Sequence, residues 1–218
     1  MAAAVAWCTQ AESLDAIFAR MDKAAKEFKS AAAAIHQKQY TAVISETSEE
    51  DGQLRVKRSK GSIKLRVDFK PPNERTAELD GNRGLIFYPK GNIVNKYDVS
   101  KYASANTVDQ LLLLSFGAAS GAELKKDYTV TSGGTETVDG KSTTRVELVP
   151  KSAEMRKLIG RISLWIPEGQ YTAVKERLDE AGKDYIEWTY SDVKVNGPVS
   201  DAEVTLKIPS NARVVEAK

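Results

Sequence analysis

His36 is the only histidine and Cys8 the only cysteine among 218 residues, and that scarcity already removes much catalytic chemistry. One thiol cannot close an intramolecular disulfide, and one imidazole cannot anchor a histidine-rich metal site. No Gly-x-Ser-x-Gly turn occurs. In Gly117-Ala118-Ala119-Ser120-Gly121 the serine stands one place too late for a nucleophile elbow. Gly140-Lys141-Ser142 has the ending of a phosphate-binding loop, but Thr135 stands where the first glycine is required, and Asp139-Gly140 reads as a hairpin turn. Carboxylates are plentiful, yet none stands isolated within an apolar run, where burial would raise its pKa for acid catalysis. Glu187, between Ile186 and Trp188, comes nearest, and strand alternation sends it to solvent. Catalysis is not expected, and no metal, nucleotide or redox cofactor is called for.

The bulk numbers point the same way. Lys and Arg total 32 against 30 Asp and Glu, a net charge of +2 with no long basic run, so nucleic acid is not an expected partner. Hydrophobic residues at 41% and charged residues at 28% describe a soluble globular chain, read as a single domain over residues 12–218. Residues 1–11 form an apolar opening too short to span a bilayer. It reads as the remnant of a secretory signal, with Thr9-Gln10-Ala11 resembling a cleavage site, or as an irregular start. Trp7 before Cys8 is a poor fit to a lipid-attachment site, which needs a small residue there.

A helical pattern runs from Glu12 to about Ile35, with Leu14, Ile17, Phe18, Met21, Ala25, Phe28, Ala32 and Ile35 on one stripe. After Tyr40 the period becomes two. Residues 62–69 alternate polar and apolar without a fault, the pattern of a strand with one wet face. Turn signals follow at short intervals: Asp51-Gly52, Pro71-Pro72, Asp80-Gly81, Pro89 to Asn92, Asp139-Gly140, Pro167 to Gly169, Ala181 to Lys183 and Asn196-Gly197-Pro198. Segments 85–88, 143–149, 159–166, 171–178 and 185–195 are rich in β-branched and aromatic residues. The expectation is a mainly β chain with α elements: about ten antiparallel strands in meander order, in one curved sheet. Residues 107–116 are expected to form a short helix ended by Gly117, and residues 152–158 a turn or two more.

Such a sheet carries more apolar surface than its own strands can cover. Ile63, Leu65, Val67 and Phe69 make one apolar face; Leu85 and Phe87, Val146 and Leu148, and Ile162, Leu164 and Ile166 supply others. Phe18, Met21 and Phe28 lie on the long N-terminal helix. Leu111, Leu112, Leu113, Leu114 and Phe116 are apolar almost all round, so they are either ordinary core or a lid between two apolar surfaces. All of these are candidate lining of a lipid cavity.

Several stretches together resemble the LolA/LolB superfamily of periplasmic lipoprotein carriers and receptors, over residues 14–215. They are Val56-Lys57-Arg58, then Arg66-Val67-Asp68-Phe69-Lys70-Pro71-Pro72, Leu79-Asp80-Gly81-Asn82, Leu85-Ile86-Phe87-Tyr88-Pro89, Asn196-Gly197-Pro198-Val199 and Val204-Thr205-Leu206-Lys207-Ile208-Pro209. Residues 112–128 are similar to outer-membrane lipoprotein-sorting proteins. The resemblance implies an incomplete β-barrel with a helical lid, holding lipoprotein acyl chains in an apolar cavity. It also implies a periplasmic location, an inner-membrane release machine and an outer-membrane receptor as partners, and a monomeric protein. A lipid- or lipoprotein-sensing module on the same scaffold is the alternative it leaves open. Carriers of this family close the lid with an arginine in a Lys-Arg-Pro stretch. Arg58 matches that position, with Ser59 in place of the proline, and Arg66 is its rival.

Overall fold

The computed structural model describes residues 12–59, 62–101 and 113–216. Helix α1 (Leu14–Glu27) starts where the Ser13 side chain accepts from the Ala16 amide and buries Ile17, Phe18 and Met21. Each fully buried side chain of this kind is worth roughly 1.5–3 kcal/mol, more than enough to hold a four-turn helix against a sheet.

The helical stripe does not run on to Ile35. Residues beyond Lys29 form strand β1 (Ser30–Thr41), in which Ala31, Ala33 and Ile35 are buried while Ala32 and Ala34 are half-buried. Four alanines suit a helix by propensity, but here two strands pair with this segment along its length, and that pairing overrides the local preference.

Eleven further strands follow: β2 (Glu46–Ser59), β3 (Ser62–Phe69), β4 (Arg75–Asp80), β5 (Arg83–Tyr88), β6 (Ile93–Asp98), β7 (Tyr128–Val138), β8 (Lys141–Pro150), β9 (Ile159–Pro167), β10 (Lys175–Glu180), β11 (Tyr185–Val195) and β12 (Arg213–Glu216). All join one curved sheet in the order β12-β6-β5-β4-β3-β2-β1-β11-β10-β9-β8-β7. Two meanders are thus sewn together where β11 returns to β1, and the sheet ends at β7 and β12 without closing. One pairing departs from the antiparallel expectation. β12 runs parallel to β6, because residues 196–212 carry the chain back across the sheet as the crossover that a parallel pair needs.

Register sorts the side chains between two faces. Ala31, Val56, Leu65 and Leu79 stand in one row, and Ala33, Leu54, Val67 and Ala77 in the next. This inner face lies under α1, the segment 113–119 and helix α2 (Gly121–Asp127). Asp51-Gly52 is not a turn but the middle of β2, opposite Ile35 and Phe69. A side chain at Gly52 would run into the Asp68 carbonyl and the Ile35 side chain, so glycine lets Ile35 sink into the core. Asp139-Gly140, by contrast, is the turn its residues announce, with φ of 47° and 75°.

The opposite, outer face is strapped by residues 200–209. Lys57 meets Asp201 at 2.8 Å, Arg66 Nη1 donates to the Thr205 carbonyl at 3.1 Å, and the buried Glu78 carboxylate accepts from the Leu206 amide. Arg83 closes on Glu78 at 2.9 Å. Glu78→Ala should therefore cost about 2 kcal/mol or more in urea unfolding and speed tryptic cleavage at Lys207, while Glu78→Gln, still able to accept, should lose less than half as much.

Candidate functional site

The inner face divides into two apolar clusters with one short segment wedged between them. Phe28, Ile63, Leu65, Val67 and Phe69 belong to the first, together with Leu113 and Phe116. Phe18, Met21, Val146, Leu148, Ile162, Leu164 and Ile166 belong to the second, together with Leu114. Leu113, Leu114 and Phe116 are 5%, 1% and 1% exposed, so this segment fills the space between the halves instead of resting on the rim. Leu111 and Leu112 lie outside the described residues, as does most of the expected 107–116 helix. Its described end is a 3₁₀ turn, Leu114–Phe116, stopped by Gly117 at φ 64°. Two bonds secure the stop: Gly117 N–H to Leu114 O, and Ala118 N–H to Leu113 O. A side chain at Gly117 would also strike Tyr171, so no other residue fits there.

Leu85 and Phe87 fall elsewhere. Gly84, not Leu85, stands opposite Leu79, which turns Leu85 and Phe87 to the outer face, where Leu85 and Val94 are buried with Leu206 of the strap and Phe87 packs against them. Alternation in β5 cannot tell a face covered by a groove from one covered by the chain's own C-terminal segment, so these two residues leave the candidate cavity.

The two arginines also separate. Arg66 is on the outer face, bound to Asp68 at 2.8 Å and to the strap. Arg58 is on the inner face, where Nη1 donates to the carbonyls of Ala25 at 3.0 Å and Phe28 at 3.4 Å, and Nη2 to that of Ala118 at 3.4 Å. Its guanidinium also lies 5.4 Å from the Phe28 ring centre. One side chain thus ties the carbonyl end of α1 to the residue that follows the Gly117 stop, with its charge at the negative end of the helix. Arg58→Met keeps the bulk and removes the three bonds. Amide exchange at Gly117 and Ala118 should then quicken by about tenfold, with the β8 and β9 amides unmoved, as hydrogen-exchange mass spectrometry would show.

Sequence reading missed the polar centre of the site. Ser115, between Leu114 and Phe116, hydrogen-bonds through its hydroxyl to Glu176 Oε2, and its carbonyl accepts from the Ala173 amide at 2.8 Å. The Tyr190 hydroxyl donates to the same Glu176 oxygen at 3.1 Å. Glu176 is 6% exposed, and burial pushes its carboxyl up to about 7, against the pull of the Ser115 and Tyr190 hydroxyls. A buried carboxyl is therefore present after all. Val174, just before β10, and Glu176 and Leu178 within it alternate in sequence, and that spacing was the available signal. Glu187 lies on the outer face as expected, 2.9 Å from Lys175. A cavity of about 440 Å³ is lined by Tyr171, Val174, Tyr190 and Val193 and, in about equal measure, by polar residues such as Lys141, Gln170 and Asp192.

Helix α2, also not foreseen, opens with a reciprocal Ser120–Glu123 capping box whose sequence signature is plain, and its Gly121 amide donates to Asp22 of α1 at 2.6 Å. Among the described residues no group of three or more His, Cys, Asp or Glu could hold a metal ion. No described helix is long and apolar enough to cross a membrane.

An open, curved twelve-strand sheet under a helical cover has the incomplete-barrel architecture with a helical lid that was expected from the sequence. An uncharacterised conserved protein of Thermus thermophilus shares the architecture at 13% identity and a TM-score of 0.54, with 94% of this chain and 100% of that one aligned. The MucA/MucB complex of Pseudomonas aeruginosa aligns at 11% identity and 0.50, over 92% of this chain and 63% of that one. A LolA superfamily protein of Nitrosomonas europaea aligns at 14% identity and 0.41, over 90% of this chain and 99% of that one. At these identities the first two matches show a shared fold and no more. No protein-family model matches the chain, and neither does any curated protein sequence.

Proposed function

We propose that the chain is a periplasmic carrier that shelters lipoprotein acyl chains on its inner face and ferries them toward the outer membrane. One observation carries this reading: the apolar rows of the two half-sheets fall into two separate clusters, and one short segment sends Leu113 and Phe116 into the first and Leu114 into the second, beside the cover that α1 and α2 provide. Hydrocarbon burial is worth roughly 0.8 kcal/mol per methylene, so an acyl chain of about fifteen carbons represents on the order of 10 kcal/mol. A groove that bound with all of it would never release its load. A plug whose leucines and phenylalanine must leave first offsets part of that energy. Arg58, tied to both α1 and Ala118, is the latch that sets how readily the plug moves.

Mass spectrometry of an organic extract of the purified protein tests the binding, and transfer of labelled lipoprotein between membranes tests the carriage. Co-purifying acyl lipid with transfer supports the carrier. Lipid without transfer favours a sensing module on the same scaffold, a reading supported by the MucA/MucB complex, in which a protein of this shape holds a protein partner. Absence of lipid together with no uptake of added acyl chains sinks both. Ester turnover lost on substitution of Ser115 or Glu176 would make the protein a hydrolase instead.

A further inference from the structure

A polar row crosses the oily inner face. Gln37 on β1, Trp188 on β11 and Glu176 on β10 are neighbours in register, and the Trp188 indole donates to Gln37 Oε1 at 3.0 Å. Glu176 completes the row with its two hydroxyl partners, Tyr190 and Ser115. Gln37, Trp188 and Tyr190 are fixed in paired strands. Ser115 rides on the plug, next to the apolar side chains that an entering acyl chain must displace.

When the plug leaves, a buried carboxylate loses a hydrogen-bond donor in surroundings where water is scarce, and such a group must find another donor or bear the full desolvation cost. We propose that Glu176, backed by Tyr190, is the polar anchor of the groove: a hydroxyl or amide N–H of the lipid replaces the Ser115 hydroxyl on the carboxylate, so neutral acyl lipids carrying such a donor are held in preference to fatty-acid anions. Such an anchor presupposes that the groove takes acyl chains, as proposed above. It selects by charge as well as by hydrogen bonding. The register neighbours of Glu176 are Leu164 on β9 and Trp188 on β11, neither of which brings a charge. The titratable groups coupled to it are Tyr190, and Tyr128 on β7, both shifted upward by burial and so neutral in the working range. A fatty-acid carboxylate placed here would meet an ionised Glu176 across a medium that screens little.

The test compares monopalmitoylglycerol with palmitate, each displacing N-phenyl-1-naphthylamine from the wild-type protein, Glu176→Gln and Ser115→Ala at about pH 8.5, above the titration of the carboxyl. Wild type should prefer monopalmitoylglycerol by about tenfold, and Glu176→Gln should reduce that ratio below about threefold, chiefly by improving palmitate. Ser115→Ala should tighten monopalmitoylglycerol by about threefold or more, because the plug no longer competes for the carboxylate. A plain loss of packing would not improve binding. Equal binding of the two lipids by wild type, or an undiminished preference in Glu176→Gln, overturns the anchor while leaving the groove. If wild type binds neither the naphthylamine nor either lipid, groove and anchor fall together. Should Glu176→Gln fail to fold, Ser115→Ala decides, and unchanged or weaker monopalmitoylglycerol binding rejects the anchor.

Discussion

Replacing Phe116 by alanine should lower the unfolding free energy of the empty protein by about 3 kcal/mol and, at the same time, raise its affinity for an acyl chain by up to about 100-fold. Phe116 is 1% exposed and sits edge-on to Tyr190, with ring centres 5.4 Å apart, so its truncation carries the ordinary cost of a core cavity. In a carrier the same contacts exist only while the plug is seated. Weakening them lowers the cost of opening by the same amount, and the gain appears in binding. Leu148→Ala is the matched control. Leu148 is 0% exposed on β8, it stays in the sheet whether the plug is in or out, and its loss should lower stability without improving affinity. Urea unfolding and displacement of an apolar dye, run on both variants, separate the cases. Lower stability in Phe116→Ala without tighter binding would reduce the plug to ordinary core and remove the observation on which the carrier reading stands.

Stability should also fall as the solution is made more alkaline between about pH 4.5 and 7, and Glu176→Gln should remove most of that slope. The Glu176 carboxyl is raised by burial to about 7, so in this window the folded protein holds a proton that the unfolded chain has given up. The stabilisation is complete below the unfolded value and is lost as pH rises through the folded one. A shift of this size corresponds to about 3 kcal/mol. Glu12 and Glu50 work in the opposite sense and in another range. Hydrogen bonds from Arg20 and Arg75 hold their carboxyls below the usual value, so their contribution is present above about pH 4.5 and is lost only in stronger acid. Unfolding midpoints in urea at about pH 5 and pH 8, for wild type and Glu176→Gln, measure the effect. A variant as pH-dependent as the parent between those points would place the titrating group elsewhere.

Much of the fold was legible residue by residue. Faultless alternation marks β3 at Ser62–Phe69, aromatic and β-branched density marks β11 at Tyr185–Val195, and turn chemistry marks Asp139-Gly140. Each of these is a local property, since a strand's two faces and a turn's positive φ are written in consecutive residues. β1 was not legible, because its alanines permit a helix as readily as a strand, and only the flanking β2 and β11 select one.

The candidate site divides along the same line. By itself the sequence determined that the chain would carry apolar strand faces in excess, an apolar segment from Leu111 to Phe116, and no histidine or cysteine cluster for metal or thiol chemistry. Only the tertiary structure decided which face is covered by what. Leu85 and Phe87 alternate as well as Leu65 and Val67 do, yet the C-terminal strap covers the first pair and the inner-face cluster takes in the second. Glu176 looks like any strand carboxylate until Ser115 and Tyr190 arrive from distant parts of the chain and close over it. Alternation reports that a strand has two unlike faces, whereas burial depends on what is laid across each face, and that is settled by residues far away in sequence.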